Sequence, residues 1–270
     1  MAASTRQRRE RILNEVYSSG HVAVKSLAAA LSVSEATVRR DLRSLAGANR
    51  IELVHGGASL VRSYDFSFRS KATRNVEAKA VIGRLAAGLV ADGDTIFVDS
   101  GTTSFQMVPW LKRKRALSVI ANSARLALEL ETPGLAVLLL GGAYRPERMD
   151  TVGPLAMSAL DQLRGYLCFI GADGLSMDFG LTASDIESAS LYRLAVKNAR
   201  ETVLVVDSAK FSSPSLFKIV DFSAVSRLVT EKCPSPEWTD FLASRGVKVV
   251  LPPDDPAQSP AVAPNAAGEP

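Results

Sequence analysis

Seven short apolar runs dominate the chain after its first third: residues 95–98, 117–120, 136–140, 167–170, 202–206, 227–230 and 247–250. Each is too short to be a buried helix, and each is apolar almost without alternation, as in strands covered on both faces. Helical periods fall at 105–111, 124–131, 155–161, 186–200 and 237–245, after a first helix over 77–90 that carries Ala80, Ile82, Leu85, Ala86 and Leu89. Strands that alternate with helices are not joined by tight hairpins, so they run parallel in one sheet with helices packed on its faces. The spacing predicts an open α/β domain over residues 77–251.

Charge separates the N-terminal quarter from this domain. Residues 1–62 hold ten Lys and Arg against five Asp and Glu, a net of +5, whereas the remainder carries −1. A basic quarter points to a polyanionic partner. Within it, residues 33–45 predict a helix with Val38, Leu42 and Leu45 on one stripe at i, i+4, i+7. Ala36, Arg40 and Arg43 fall opposite that stripe, with Arg39 on one flank and Thr37 and Ser44 on the other. Ser34 is suited to cap the helix, and Glu35 to meet the positive end of its dipole. Small residues early in such a helix let the backbone approach a groove, while arginines reach phosphates and guanine edges.

A lone helix with three arginines is equally a solvated face, and its neighbours separate the two readings. Upstream lie a helix over 9–17 with Ile12, Leu13 and Val16 inward, a break at Gly20, a short strand over 22–24 and a second helix over 25–31. Ser32-Val33-Ser34 joins that helix to the next, a connection of helix-turn-helix length. Downstream, a strand over 51–54 turns at His55-Gly56-Gly57 and returns through 58–61. The order is that of a winged helix-turn-helix over residues 1–62, and the predicted DNA-contacting set is Ser34, Ala36, Thr37, Arg39, Arg40, Arg43, His55 and Gly56. Arg6, Arg8, Arg9 and Arg11 are either a frayed, soluble terminus or phosphate contacts.

Residues 63–76 are polar and without a period and are expected to link the domains, although Tyr64, Phe66 and Phe68 give them something to pack. Residues 252–270, rich in Pro and Ala, have too little apolar surface to offset the entropy of ordering and are expected to form a disordered tail. The basic N-terminus lacks an apolar signal core, and 136–140 is far too short to span a bilayer. Cys168 and Cys233 form no CxxC pair, and two histidines are too few for a Cys/His zinc site, so no metal or other cofactor is expected. All this suits a reducing cytoplasm.

In an open α/β sheet, ligands gather at the carboxyl ends of the strands. The first strand ends in Asp99-Ser100-Gly101-Thr102-Thr103-Ser104, a small-residue loop whose N–H groups and hydroxyls suit a phosphate. It has neither a P-loop lysine nor GxGxxG, so no nucleotide class is supported. Later strand ends supply Asn122-Ser123, Gly141-Gly142, Gly171-Ala172-Asp173-Gly174 and Asp207-Ser208-Ala209-Lys210-Phe211. Each alone is ordinary turn chemistry. On one sheet edge they predict an effector site of Asp99, Gly101, Thr102, Thr103, Asn122, Gly141, Gly142, Asp173 and Lys210, with carboxylates for sugar hydroxyls and a lysine to balance negative charge.

The run from Arg9 through Ala58, above all Val33-Ser34, Thr37-Val38-Arg39-Arg40-Asp41-Leu42 and His55-Gly56-Gly57-Ala58, resembles the DNA-binding domain of the DeoR family of bacterial transcriptional regulators. Asp99-x-Gly101-Thr102-Thr103, Asn122-Ser123, Gly141-Gly142, Val152-Gly153, Gly171-Ala172-Asp173-Gly174, Gly180-x-Thr182 and Asp207-Ser208-x-Lys210-Phe211 resemble its effector-sensing domain in order and spacing. Ala121 stands where relatives usually carry Thr. The resemblance implies a sensor fold similar to ribose-5-phosphate isomerases and coenzyme A transferases, and phosphorylated sugars or related metabolites as effectors. It also implies a repressor of a carbohydrate-metabolism operon that binds double-stranded operator DNA as a homo-oligomer. The alternative is a sugar-phosphate isomerase fused to a DNA-binding module, with Asp99, Asp173 and Lys210 drafted as catalytic groups. Against it, Gly174-Leu175-Ser176 follows Asp173 where the isomerases carry an acidic cluster.

Overall fold

The computed structural model describes residues 5–19, 21–47, 51–59, 67–212, 214–232 and 234–253. Expectations for Gly20, for 60–66 at the end of the wing and the start of the linker, for Cys233 and for the tail from 254 onward lie outside the described residues. The N-terminal part runs α1 (Thr5–Ser19), β1 (His21–Ala23), α2 (Val24–Leu31), α3 (Glu35–Gly47), β2 (Glu52–Val54) and β3 (Gly57–Ser59). The three strands pair in the order β1-β3-β2. One small core joins them, in which Ile12, Val16, Leu27, Val38, Leu42, Ile51 and Ala58 are buried.

Asp41 lies on the buried stripe of α3, where it is only 1% exposed. Its carboxylate accepts from Arg8 Nε at 2.6 Å and Arg9 Nε at 2.9 Å. Arg8 and Arg9 therefore answer to neither alternative drawn from the sequence: they tie α1 to α3. Burial alone would push the Asp41 carboxyl up, but the two guanidiniums outweigh it and hold the carboxyl below its ordinary value.

The segment expected to link the domains folds in part, and Phe68 packs as its place there allowed. Residues 68–72 form α4 (Phe68–Ala72), capped by Ser67, whose hydroxyl accepts from Ser70 N–H at 3.1 Å. A five-residue helix is too short to show a period and is not stable by itself; tertiary contacts hold it. The Phe68 ring meets Phe105 edge-on at 5.5 Å, and the Arg125 guanidinium lies 5.0 Å from its centre.

The chain continues through α5 (Val76–Gly88), β4 (Thr95–Val98), α6 (Val108–Leu111), β5 (Ser118–Ala121), α7 (Ala124–Glu129), β6 (Ala136–Leu139), β7 (Ala143–Arg145), β8 (Asp150–Val152), α8 (Pro154–Asp161) and β9 (Leu167–Ile170). It ends with β10 (Gly174–Ser176), β11 (Gly180–Ala183), α9 (Ile186–Asn198), β12 (Glu201–Val205), β13 (Phe217–Lys218), β14 (Arg227–Val229), α10 (Pro236–Ser244) and β15 (Lys248–Val250). The seven predicted runs form one sheet in the order β15-β14-β12-β9-β4-β5-β6. All its neighbours are parallel. Alternate residues of each strand feed two cores: Ile96, Val98 and Phe169 pack on one face, Phe97, Cys168 and Ile170 on the other.

From β4 the chain steps outward through β5 and β6, then returns to lay β9 on the other side of β4. That reversal opens a crevice beyond the carboxyl ends of β4 and β9, where open sheets bind ligands. Two features were not predicted: the β7–β8 hairpin and the small antiparallel sheet β10-β11-β13. Their strands of two to four residues are too short to carry a pattern.

Candidate functional site

The first candidate surface is the exposed side of α3 with the hairpin β2–β3. Ser32 takes the left-handed conformation (φ 52°) that ends α2, and Ser34 opens α3 by accepting from Thr37 N–H at 3.2 Å. The Ser34 and Thr37 hydroxyls are themselves 2.9 Å apart. Ala36, Arg39, Arg40 and Arg43 are exposed. Arg39 and Arg43, one helical turn apart, line a cleft of about 410 Å³ with His55 and Gly56 of the hairpin turn. Arg40, also exposed, does not line that cleft, so the basic front extends beyond it. Gly57 is required by packing: a Cβ there would lie 2.0 Å from the Val22 carbonyl oxygen, where β3 passes β1.

The second is a cavity of about 410 Å³ at the switch point between β4 and β9. Six of the nine residues predicted for the effector line it: Asp99, Gly101, Thr102, Thr103, Asp173 and Lys210. Asp99 is spent on the frame, because its carboxylate accepts from Gly101 N–H at 3.0 Å and Gly171 N–H at 2.8 Å, locking the two loops together. Burial pushes its carboxyl above the ordinary value against those donors. Asp173 accepts from Ser184 N–H at 2.8 Å and Ser184 Oγ at 2.6 Å and pairs with Lys71. Burial would raise its carboxyl, but the Lys71 ammonium and these bonds hold it well below the carboxylate range.

Asn122, Gly141 and Gly142 do not line the cavity, which corrects the predicted set. Asn122 is fully buried, and its amide donates to the Thr151 carbonyl at 3.2 Å. Gly142 (φ +154°) passes β8 so closely that a Cβ would lie 2.5 Å from the Val152 carbonyl. Asn122 and Gly142 hold the β7–β8 hairpin against the sheet. That hairpin in turn delivers Arg148 to the cavity, anchored on Asp185.

Sequence reasoning missed most of the positive charge. Lys71, Arg74 and Asn75 come from the segment taken as linker, and Lys79 from the first turn of α5. Asn75 Nδ2 donates to Asp207 at 3.0 Å, and Lys79 Nζ donates to the Lys71 carbonyl. Lys79 is 4% exposed, and burial, aided by neighbouring Lys210, Lys71 and Arg74 and opposed by Asp207, pulls its ammonium down to about 8. One signal was present: Lys79 shares the apolar stripe of Ile82 and Ala86, where a solvated lysine does not belong. In all, Lys71, Arg74, Lys79, Arg148 and Lys210 face three carboxylates, Asp99, Asp173 and Asp207.

A winged helix-turn-helix with an exposed basic front, joined to an α/β domain that surrounds a cation-rich cavity, defines a DNA-binding transcriptional regulator with a sensor domain. The chain belongs to the DeoR family: residues 8–64 match the DeoR-like helix-turn-helix domain and residues 74–232 the DeoR C terminal sensor domain. It is 32% identical to the HTH-type transcriptional regulator GlpR of Haloferax volcanii over 90% of this chain and 96% of that one. The lactose phosphotransferase system repressor of Lactococcus lactis subsp. lactis is 32% identical over 86% of this chain and 93% of its own. The glycerol-3-phosphate regulon repressor of Escherichia coli (strain K12) is 28% identical over 91% and 98%. A solved ribose 5-phosphate isomerase A from Methanocaldococcus jannaschii aligns with 51% of this chain and 55% of its own at 22% identity and a TM-score of 0.37, too slight a likeness to bear on function. No helix among the described residues is long and apolar enough to cross a membrane.

Proposed function

We propose that the switch-point cavity binds a phosphorylated sugar or a related phosphorylated metabolite, and that its occupancy controls repression of a carbohydrate-metabolism operon in the cytoplasm. One observation carries the reading. Five cations face three carboxylates over a loop in which Thr102 and Thr103 offer backbone N–H groups and hydroxyls. That excess suits a phosphate dianion, and the names of two relatives, a glycerol-3-phosphate regulon repressor and a lactose phosphotransferase system repressor, agree with it. An isomerase would need a carboxylate able to take a proton from substrate. Asp99 is held by backbone donors and Asp173 by Lys71 and Ser184, so the geometry favours binding over catalysis.

Thermal shifts with glycerol 3-phosphate, hexose 6-phosphates and their unphosphorylated parents test this. Stabilisation by phosphorylated compounds alone supports it, and equal response to the parents refutes it. Thr102 is 7% exposed, so a carboxylate placed there would test folding as much as binding. Lys210→Gln is the cleaner variant and should weaken the effector by roughly 10- to 150-fold if a charge-assisted bond of about 1.5–3 kcal/mol is lost.

DNA recognition is assigned to Arg39 and Arg43 with His55 and Gly56 across the cleft, and to Ser34, Ala36, Thr37 and Arg40 on the adjoining front. Two such modules are needed to read paired half-sites, and β6 offers a means of pairing. It ends the sheet, residues 132–144 contain no charged side chain, and Leu138 and Leu139 are 50% and 43% exposed. Natural sheet edges are usually guarded by charge. A second copy, applied edge to edge about a two-fold axis, would cover this one.

A further inference from the structure

Residues 67–79 join the two domains in sequence and also form one wall of the effector cavity. They are fastened at four places around its mouth. Phe68 N–H donates to the Glu147 carbonyl at 2.9 Å, on the β7–β8 hairpin. The Phe68 ring packs on Phe105, just beyond the Gly101 to Thr103 loop. Lys71 pairs with Asp173 after β9, and Asn75 holds Asp207 after β12. On its other side α4 lies against α1, which is bonded through Arg8 and Arg9 to Asp41 of α3.

We propose that this strap, resting on the reading of the cavity as a phosphate site, is the element through which occupancy reaches the DNA-binding module. An entering phosphate competes with Asp173 for the Lys71 ammonium. Asp173 has Ser184 as a second partner, so it can release Lys71 without being left bare. Lys71 is part of α4 and carries that helix with it as it follows the anion, and Lys79, which also lines the cavity, ties the Lys71 backbone to the same site. The displacement is passed to α1 and, through the arginine pair, to α3. The ligand acts by binding differently to two placements of the strap, as any effector must.

Amide hydrogen exchange of the full chain tests the strap, using inorganic phosphate against chloride at equal ionic strength. Phosphate is expected to slow exchange at 99–104 and to alter it at 67–79. Protection of 99–104 with 67–79 unchanged overturns the strap and leaves the phosphate site standing. No response in either segment, with no thermal shift from any phosphorylated compound, overturns both. Asp173→Asn, or Lys71→Gln should the first variant fail to fold, removes the tether directly. Either is expected to speed exchange at 67–79 without phosphate and to move operator affinity by about 5- to 150-fold toward the effector-bound value. Operator affinity equal to wild type in a folded variant overturns the coupling.

Discussion

Individual side chains divide into those that meet a partner and those that hold the frame. In α3 the cleft shared with the hairpin turn favours Arg43 and Arg39 over Arg40 as base readers. Arg43→Ala should cost about 1–3 kcal/mol on operator and much less on random DNA, whereas Arg40→Ala should weaken both alike. Equilibrium binding on the two DNAs distinguishes these outcomes. Asp41 belongs to the frame. Removing it strands Arg8, which is 15% exposed, so Asp41→Ala should cost about 1–3 kcal/mol in denaturant unfolding of the N-terminal domain. Its carboxyl is held below the unfolded value. The stability it adds is therefore complete above about pH 4 and is lost as pH falls through the lowered value. Lys79 works with the opposite sign. Burial brings its ammonium down to about 8, and a bound dianion favours the charged form. Effector binding near pH 8 should therefore take up as much as about half a proton, seen by titration calorimetry in buffers of different ionisation enthalpy. Proton release would contradict the placement of the phosphate beside Lys79.

At the level of elements, legibility followed length. The seven strands are visible because each is a run of apolar residues bounded by turns, and they sit within a residue of their expected places. The longer helices of the α/β domain, α5, α8, α9 and α10, show their periods for the same reason. α4 shows nothing: two of its five residues are buried by neighbours distant in sequence, and its cap is an ordinary serine. The β7–β8 hairpin was likewise invisible, and with it went Arg148. Gly141-Gly142 and Asn122 drew attention as strand-end residues with ligand chemistry. Gly142 and Asn122 serve instead as close-approach and bonding residues for that hairpin, a distinction that depends on which backbone passes beside them.

For the whole molecule, the proposed pairing through β6 is open to a direct test. The positive excess is confined to the first quarter of the chain, and the uncharged stretch contains β6, an edge strand of the sheet, packed against α7, whose Leu128 is 76% exposed. Leu138→Lys places a charge on that edge without touching either core. Sedimentation of the full chain should shift toward monomer for this variant, with the thermal midpoint little changed. An unchanged sedimentation coefficient would place the interface elsewhere. Loss of pairing should also weaken operator binding far more than binding to a single half-site.

Some properties of this protein are local or periodic, and these the sequence determined by itself. The stripe of α3, its serine cap, the Gly-Gly turn of the wing and the apolar strand runs each depend on residues a few positions apart, so hydrophobic burial and backbone geometry leave them little choice. Motif spacing then carried the family. The strand order, and hence the switch point, depends on contacts across the chain and was decided only by the tertiary structure. So was the origin of the cavity's cations. A lysine in a polar stretch is solvated by default, and Lys71 becomes a site residue only because α4 folds back over Asp173, 102 positions away.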